Sequence, residues 1–152
     1  MQTYSEGTVF VVPLRSGGYA RGIVTRASKE GICLFGYFFG PRLSSLEEVE
    51  FDDLEPANAI LRLRFGDLGL INGEWPIKGQ IPKWNRSQWA MPDAVRKDPL
   101  GRKDPVRICY DDTDPNRRVS EYPITDAEAK GLISDSAGGY GFVEIKLTNL
   151  IN

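Results

Sequence analysis

The sequence predicts an α+β fold that is mainly antiparallel β, a small SH3-like or partly open barrel with one or two short helices. Three observations lead there. Three short runs rich in Val, Ile and Phe lie between Thr8 and Phe39, separated by tight polar or glycine turns, as in a β-meander. Gly22 interrupts the second run, which in a strand marks a bulge or a barrel corner. Capping-box helix starts stand at Ser44 to Glu48 and at Thr125 to Glu128.

The elements follow in order. Thr8 to Leu14 is a first strand, Arg15-Ser16-Gly17-Gly18 a turn where glycine takes positive φ, and Tyr19 to Arg26 a second strand. After the polar turn Ala27 to Glu30, a third strand spans Gly31 to Phe39, and Gly40-Pro41 ends it. Two overlapping capping boxes, Ser44 with Glu47 and Ser45 with Glu48, open a short helix or turn with Leu46, Val49 and Leu54 as a narrow apolar stripe. Ala59 to Phe65 alternates Ile60, Arg62, Arg64 with Leu61, Leu63, Phe65, the period of a strand with one buried and one mainly wet face. Asp67 to Trp75 reads as a hairpin, because Asn72-Gly73 is a strong type I′ turn signal. Pro76 and Pro82 keep the next stretch at a sheet margin. Residues 83 to 104 form a long loop pinned by Trp84 and Trp89. Val106 to Tyr110 is a strand, Asp111 to Asn116 a polar turn, Thr125 to about Leu132 a helix, and Phe142 to Leu147 a final strand.

Composition narrows the function. At 152 residues and 17.0 kDa the chain is expected to form a single domain, 1–152. Its longest apolar run is far shorter than a bilayer crossing requires, and Met1 to Leu14 lacks the basic start and long apolar stretch of a signal peptide. A cytoplasmic location without membrane contact is therefore expected. There is no histidine, which removes Ser-His-Asp and Cys-His nucleophiles and His-liganded zinc. Cys33 and Cys109 stand in no metal-ligand spacing and read as structural thiols. No cofactor, metal or catalytic residue is expected.

The net charge of −2 and pI near 5.3 argue against a dedicated nucleic-acid binder. That total hides local imbalance. Residues 44 to 58 hold six acids and no Lys or Arg, a net of −6, whereas residues 83 to 118 interleave nine bases with six acids. A single-sign acidic stretch is either a solvated segment or a surface complementary to a basic partner. The candidate contact residues are accordingly Glu47, Glu48, Glu50, Asp52, Asp53 and Glu55, with Asp111, Asp112 and Asp114 of the later turn, and Trp84 and Trp89 as anchors. The aspartate turn lacks the glycine and distal Glu of a calcium loop. Trp75, Trp84 and Trp89 with Tyr37, Phe38 and Phe39 form either the core or an exposed stacking platform for bases or peptides, which is the alternative function.

Several runs carry a family resemblance. Gly7-Thr8-Val9-Phe10-Val11-Val12-Pro13-Leu14 and Gly18-Tyr19-Ala20-Arg21-Gly22-Ile23-Val24 resemble the opening of the immunity protein 26 family of bacterial polymorphic toxin systems. Phe65-Gly66-Asp67, Gly73-Glu74-Trp75-Pro76 and Pro82-Lys83-Trp84, then Trp89 and Pro92, are similar in order and spacing to that family's middle section. The similarity spans roughly residues 5 to 112. It implies neutralisation of a cognate toxin domain by stoichiometric binding, without enzymatic activity. Its motifs are scaffold glycines, prolines and aromatics, so it transfers no contact residue.

Overall fold

The computed structural model describes residues 3–28 and 33–151. The second half of the turn expected at Ala27 to Glu30, and the expected strand start at Gly31, lie outside the described residues. The chain forms two mostly antiparallel sheets with three short α-helices, an α+β architecture in which neither sheet closes into a barrel.

The first sheet contains β1 (Thr8–Pro13), β2 (Tyr19–Ala27), β3 (Cys33–Leu43), β4 (Leu61–Gly66), β5 (Ile77–Gln80) and, further on, β10 (Ala137–Gly138). Its order is β10-β4-β3-β2-β1-β5, and β10 alone runs parallel to its neighbour. The second contains β6 (Ala94–Arg96), β7 (Val106–Asp111), β8 (Asp114–Pro123) and β9 (Ile133–Ser134), in the order β8-β7-β6-β9. The helices are α1 (Leu68–Ile71), α2 (Asp126–Ala129) and α3 (Tyr140–Ile151).

The central strands are near-continuous apolar runs because both faces of the first sheet are covered. One face, with Phe10, Val24, Phe38 and Phe65, packs against Trp75 and against Val143 and Leu147 of α3. The Phe10 and Trp75 rings stack with centroids 5.5 Å apart. The other face, with Val9, Ile23, Phe35, Tyr37 and Phe39, packs under Leu54 and Trp89. Gly22 marks neither a bulge nor a corner: a Cβ there would stand 2.5 Å from the Phe10 ring, so its role is close approach.

Four elements differ from expectation. β3 continues through Gly40-Pro41 to Leu43, because a register shift between Tyr19 and Arg21 takes the proline out of the ladder. The expected hairpin at Asp67 to Trp75 is α1: Asn72 is right-handed (φ −83°) and Gly73 left-handed (φ 82°), a helix C-cap where a type I′ turn requires both to be positive. The final strand is helix α3, and Phe142 lies over Gly138, where a Cβ would collide at 2.1 Å. Val143 and Leu147, four apart, then share the buried face. Within 83–104 the loop carries the short strand β6, and the turn read at Asp111 to Asn116 runs directly into β8, a ten-residue strand.

Of the helix-start signals, the boxes expected at Ser44 and Ser45 make no side-chain cap bond, while the one at Thr125 forms. Ser45 and Glu48 join side chains at a single 3-10 turn, Leu46–Glu48. The Thr125 capping box forms as expected, although its helix ends at Ala129.

Candidate functional site: an acidic loop pinned by a buried arginine

β2 carries two arginines that are almost wholly buried, Arg21 and Arg26. A buried guanidinium needs a full set of acceptors, and each draws on a different group of the predicted acids. Arg21 makes a two-pronged contact with Asp53, Nη1 donating to Oδ1 at 2.5 Å and Nη2 to Oδ2 at 2.8 Å. The same nitrogens donate to the carbonyls of Glu50 (2.8 Å) and Gly40 (2.6 Å), which leaves only Nε without a partner. The Arg21 hydrogen bonds hold the Asp53 carboxyl below the usual carboxylate range, against a smaller opposing effect of burial.

This contact fixes the loop 44–58. Leu54 is buried beneath it, and Asn58 Nδ2 donates to the Asp53 carbonyl at 2.8 Å. With the backbone held, Glu47, Glu48, Glu50, Asp52 and Glu55 all point to solvent. Glu48 accepts from Ser45 Oγ at 3.3 Å. Among the described residues Glu47, Glu50, Asp52 and Glu55 have no cation within ion-pair distance. The loop therefore presents uncompensated negative charge on a rigid base.

The Asp111 to Asp114 turn is different. Asp112 Oδ1 accepts from Arg26 at 3.0 Å and Oδ2 from Arg86 at 2.7 Å, while Arg86 also reaches Glu6 at 2.7 Å. Burial pushes the Asp112 carboxyl up, but the two arginines outweigh it and the net shift is downward. Asp111 accepts from the Thr113 amide and hydroxyl, and Asp114 from the Asn116 amide and side chain. These three acids close the turn and bind it to β2. The anchors Arg21 and Arg26 stand five positions apart on β2, so the two acidic groups are tied to different points of one strand.

The aromatic candidates divide similarly. Tyr37, Phe38, Phe39, Trp75 and Trp89 are all buried; Trp89 packs on Tyr37 edge-to-face at 5.2 Å. Trp84 is half-buried, stacked on Trp89 at 5.7 Å and lying over Gly7, where a Cβ would meet it at 2.9 Å.

Two structural ion clusters escaped the sequence reading. Asp135, with 3% of its side chain exposed, accepts from Arg64, Arg118 and the Tyr110 hydroxyl, and the Arg64 guanidinium lies 4.5 Å from the Tyr110 ring centre. It joins β4 of the first sheet to β7 and β8 of the second. Glu144 on α3 accepts from Trp75 Nε1 and Arg15 Nε, each at 3.0 Å. The alternation at Ala59 to Phe65 had assigned Arg64 to a wet face; nothing local signals that a second sheet covers it.

Other chemistry is sparse. A cleft of about 330 Å³ lies along the loop after β6, but its Arg96, Lys97 and Lys103 alternate with Asp98 and Asp104. Cys33 and Cys109 are free and half-buried, and burial pushes the Cys33 thiol up, away from a nucleophilic thiolate. No cluster of three metal-ligating side chains occurs among the described residues, and none of their helices is long and apolar enough to cross a membrane.

Among curated proteins and among solved structures nothing matches the chain. A family model, Immunity protein 26, matches residues 5–105. The match takes in β1 to β6, both buried arginines and the whole acidic loop, and ends seven residues short of the span read from the motifs. A match over most of the chain, spanning the first five strands of the first sheet, places this protein in the immunity protein 26 family.

Proposed function

We propose that the protein neutralises a cognate toxin domain of a bacterial polymorphic toxin system by direct, stoichiometric binding in the cytoplasm. Membership of an immunity-protein family supports the role. The contact surface we assign to the loop 44–58, with Trp84 as a neighbouring anchor. The observation that carries this assignment is the sorting of the acids: Asp53 holds the loop to Arg21, while Glu47, Glu50, Asp52 and Glu55 remain solvent-facing and uncompensated. Such a field accelerates encounter with a basic cleft and rejects acidic partners.

The test is charge reversal that spares the tether. Glu47→Lys, Glu50→Lys, Asp52→Lys and Glu55→Lys together leave Arg21–Asp53 intact. Association with the toxin domain encoded beside this protein's gene is expected to slow at least tenfold, with a weaker dependence on salt. Unchanged association kinetics would remove the loop from the interface, and failure of the wild-type pair to co-purify would remove the immunity role.

A further inference from the structure

Among the described residues Lys83 is the one non-glycine with a positive φ, 54°; every other described residue with positive φ is a glycine. It follows Pro82, and a proline before a left-handed residue is the pattern of a type II turn, whose second central position takes Gly or Asn because a β-carbon crowds the backbone there. The fold requires the turn. Ile81 N donates to the Gly7 carbonyl at 2.9 Å, and three residues on the Trp84 ring lies over that same Gly7 and stacks on Trp89. A glycine at 83 would make this turn without the crowding. The lysine gives the fold nothing in return: its side chain is exposed and has neither hydrogen bond nor ion pair among the described residues.

A strained conformation that carries a side chain with no partner inside the molecule points to a partner outside it. Given the binding role proposed above for the loop 44–58, on which this reading rests, we infer that Lys83 is a specificity contact of the same interface, its ammonium pairing with a carboxylate of the toxin domain. The position fits. Phe51, in the middle of the acidic run, lies against β5 at Gly79, where a Cβ would stand 3.2 Å from its ring, four residues before Lys83. Phe51, Ile81 and Trp84 all pack on one core cluster, so the Pro82-Lys83 turn borders the acidic loop. A toxin surface that is basic against Glu50 and Asp52 and acidic at this one point is matched in both places. A uniformly basic surface is attracted by the loop and repelled by Lys83, so the lysine fixes the register of the complex and discriminates between basic partners.

Lys83→Gly removes the cation and the strain together, so stability and binding should move in opposite directions. The urea midpoint is expected to rise above that of wild type. The complex with the toxin domain encoded beside this protein's gene is expected to dissociate about tenfold faster, measured by stopped flow. Association should be no slower than with wild type, because the variant is more negative toward a basic partner. Lys83→Arg keeps both charge and strain; its midpoint should match wild type and its complex should dissociate more slowly than that of Lys83→Gly. An unchanged dissociation rate in Lys83→Gly overturns the contact and leaves the acidic loop in place, since the loop is read from slower association after its own charge reversal. A lowered midpoint in Lys83→Gly overturns the strain and the inference with it. Equally fast dissociation of the Lys83→Arg and Lys83→Gly complexes overturns the charge pairing, and a wild-type pair that does not bind overturns both readings.

Discussion

Asp53 is the candidate acid whose loss should be felt in the fold before it is felt in any partner. Asp53→Asn keeps the side chain's size and removes its charge, leaving Arg21 as a cation at 2% exposure with the Gly40 and Glu50 carbonyls as its remaining strong acceptors. Removing one partner of a fully buried pair costs about 3–5 kcal/mol. Two features lower the figure here. Half of the Asp53 side chain is in water, which screens the pair, and the two carbonyls still accept from the guanidinium. We therefore expect a loss of about 2–3 kcal/mol, a large share of the roughly 5–15 kcal/mol by which such chains are stable. Urea unfolding followed by tryptophan fluorescence measures it, as a lower midpoint with an unchanged slope. The companion variant Glu47→Gln, with no partner to lose, should stay within about 0.5 kcal/mol of wild type. Arg21→Met with Asp53→Ala should cost less than the two single changes together, since no buried charge is left behind. A loss below about 0.5 kcal/mol for Asp53→Asn, with an unaltered slope, would refute the tether.

The lowered carboxyls of Asp53 and Asp112 set a pH dependence. A group whose folded value lies below its unfolded value of about 3.9 contributes stability in full above that value and loses it as pH falls through the folded one. Unfolding midpoints should thus be flat near neutrality and fall below about pH 4.5, less steeply in Asp53→Asn; an equal slope in the variant would exclude Asp53 as a source. Gly22→Ala should destabilise by about 1–3 kcal/mol, because the added methyl meets the Phe10 and Phe38 rings from both sides; a thermal melt matching wild type would contradict this packing. Trp75→Phe removes the donor to buried Glu144 and part of the ring stacked on Phe10, a loss of about 2–4 kcal/mol by chemical denaturation. Thr125→Ala removes the hydroxyl that accepts from the Glu128 amide, one half of the capping box, and should cost about 1 kcal/mol, read as faster amide exchange at Glu128.

What the chain declared locally held up. Strand runs with tight glycine turns, the strand period of Leu61 to Phe65 and the Thr125 capping box depend on contacts within a few residues. Errors arose where one local pattern serves two structures. Asn72-Gly73 ends a helix as well as it turns a hairpin. Phe142-Val143-Glu144-Ile145-Lys146-Leu147 alternates like a strand, yet the strand position beside β4 is taken by Ala137–Gly138, so these residues pack better as a helix over the sheet. β8 was invisible because an exposed edge strand has no buried face to impose a hydrophobic period.

By itself the sequence determined the fold class, the family, the absence of imidazole chemistry and the place where negative charge is concentrated. Each is a property of composition or of neighbouring residues. Only the tertiary structure decided which acids remain available. Asp53 and Asp112 sit in runs of identical charge with Asp52 and Asp111, but β2 places a buried guanidinium against one member of each run. Burial makes an unpaired cation too costly, so those carboxylates are tied to Arg21 and Arg26, and the uncompensated charge falls to Glu47, Glu50, Asp52 and Glu55.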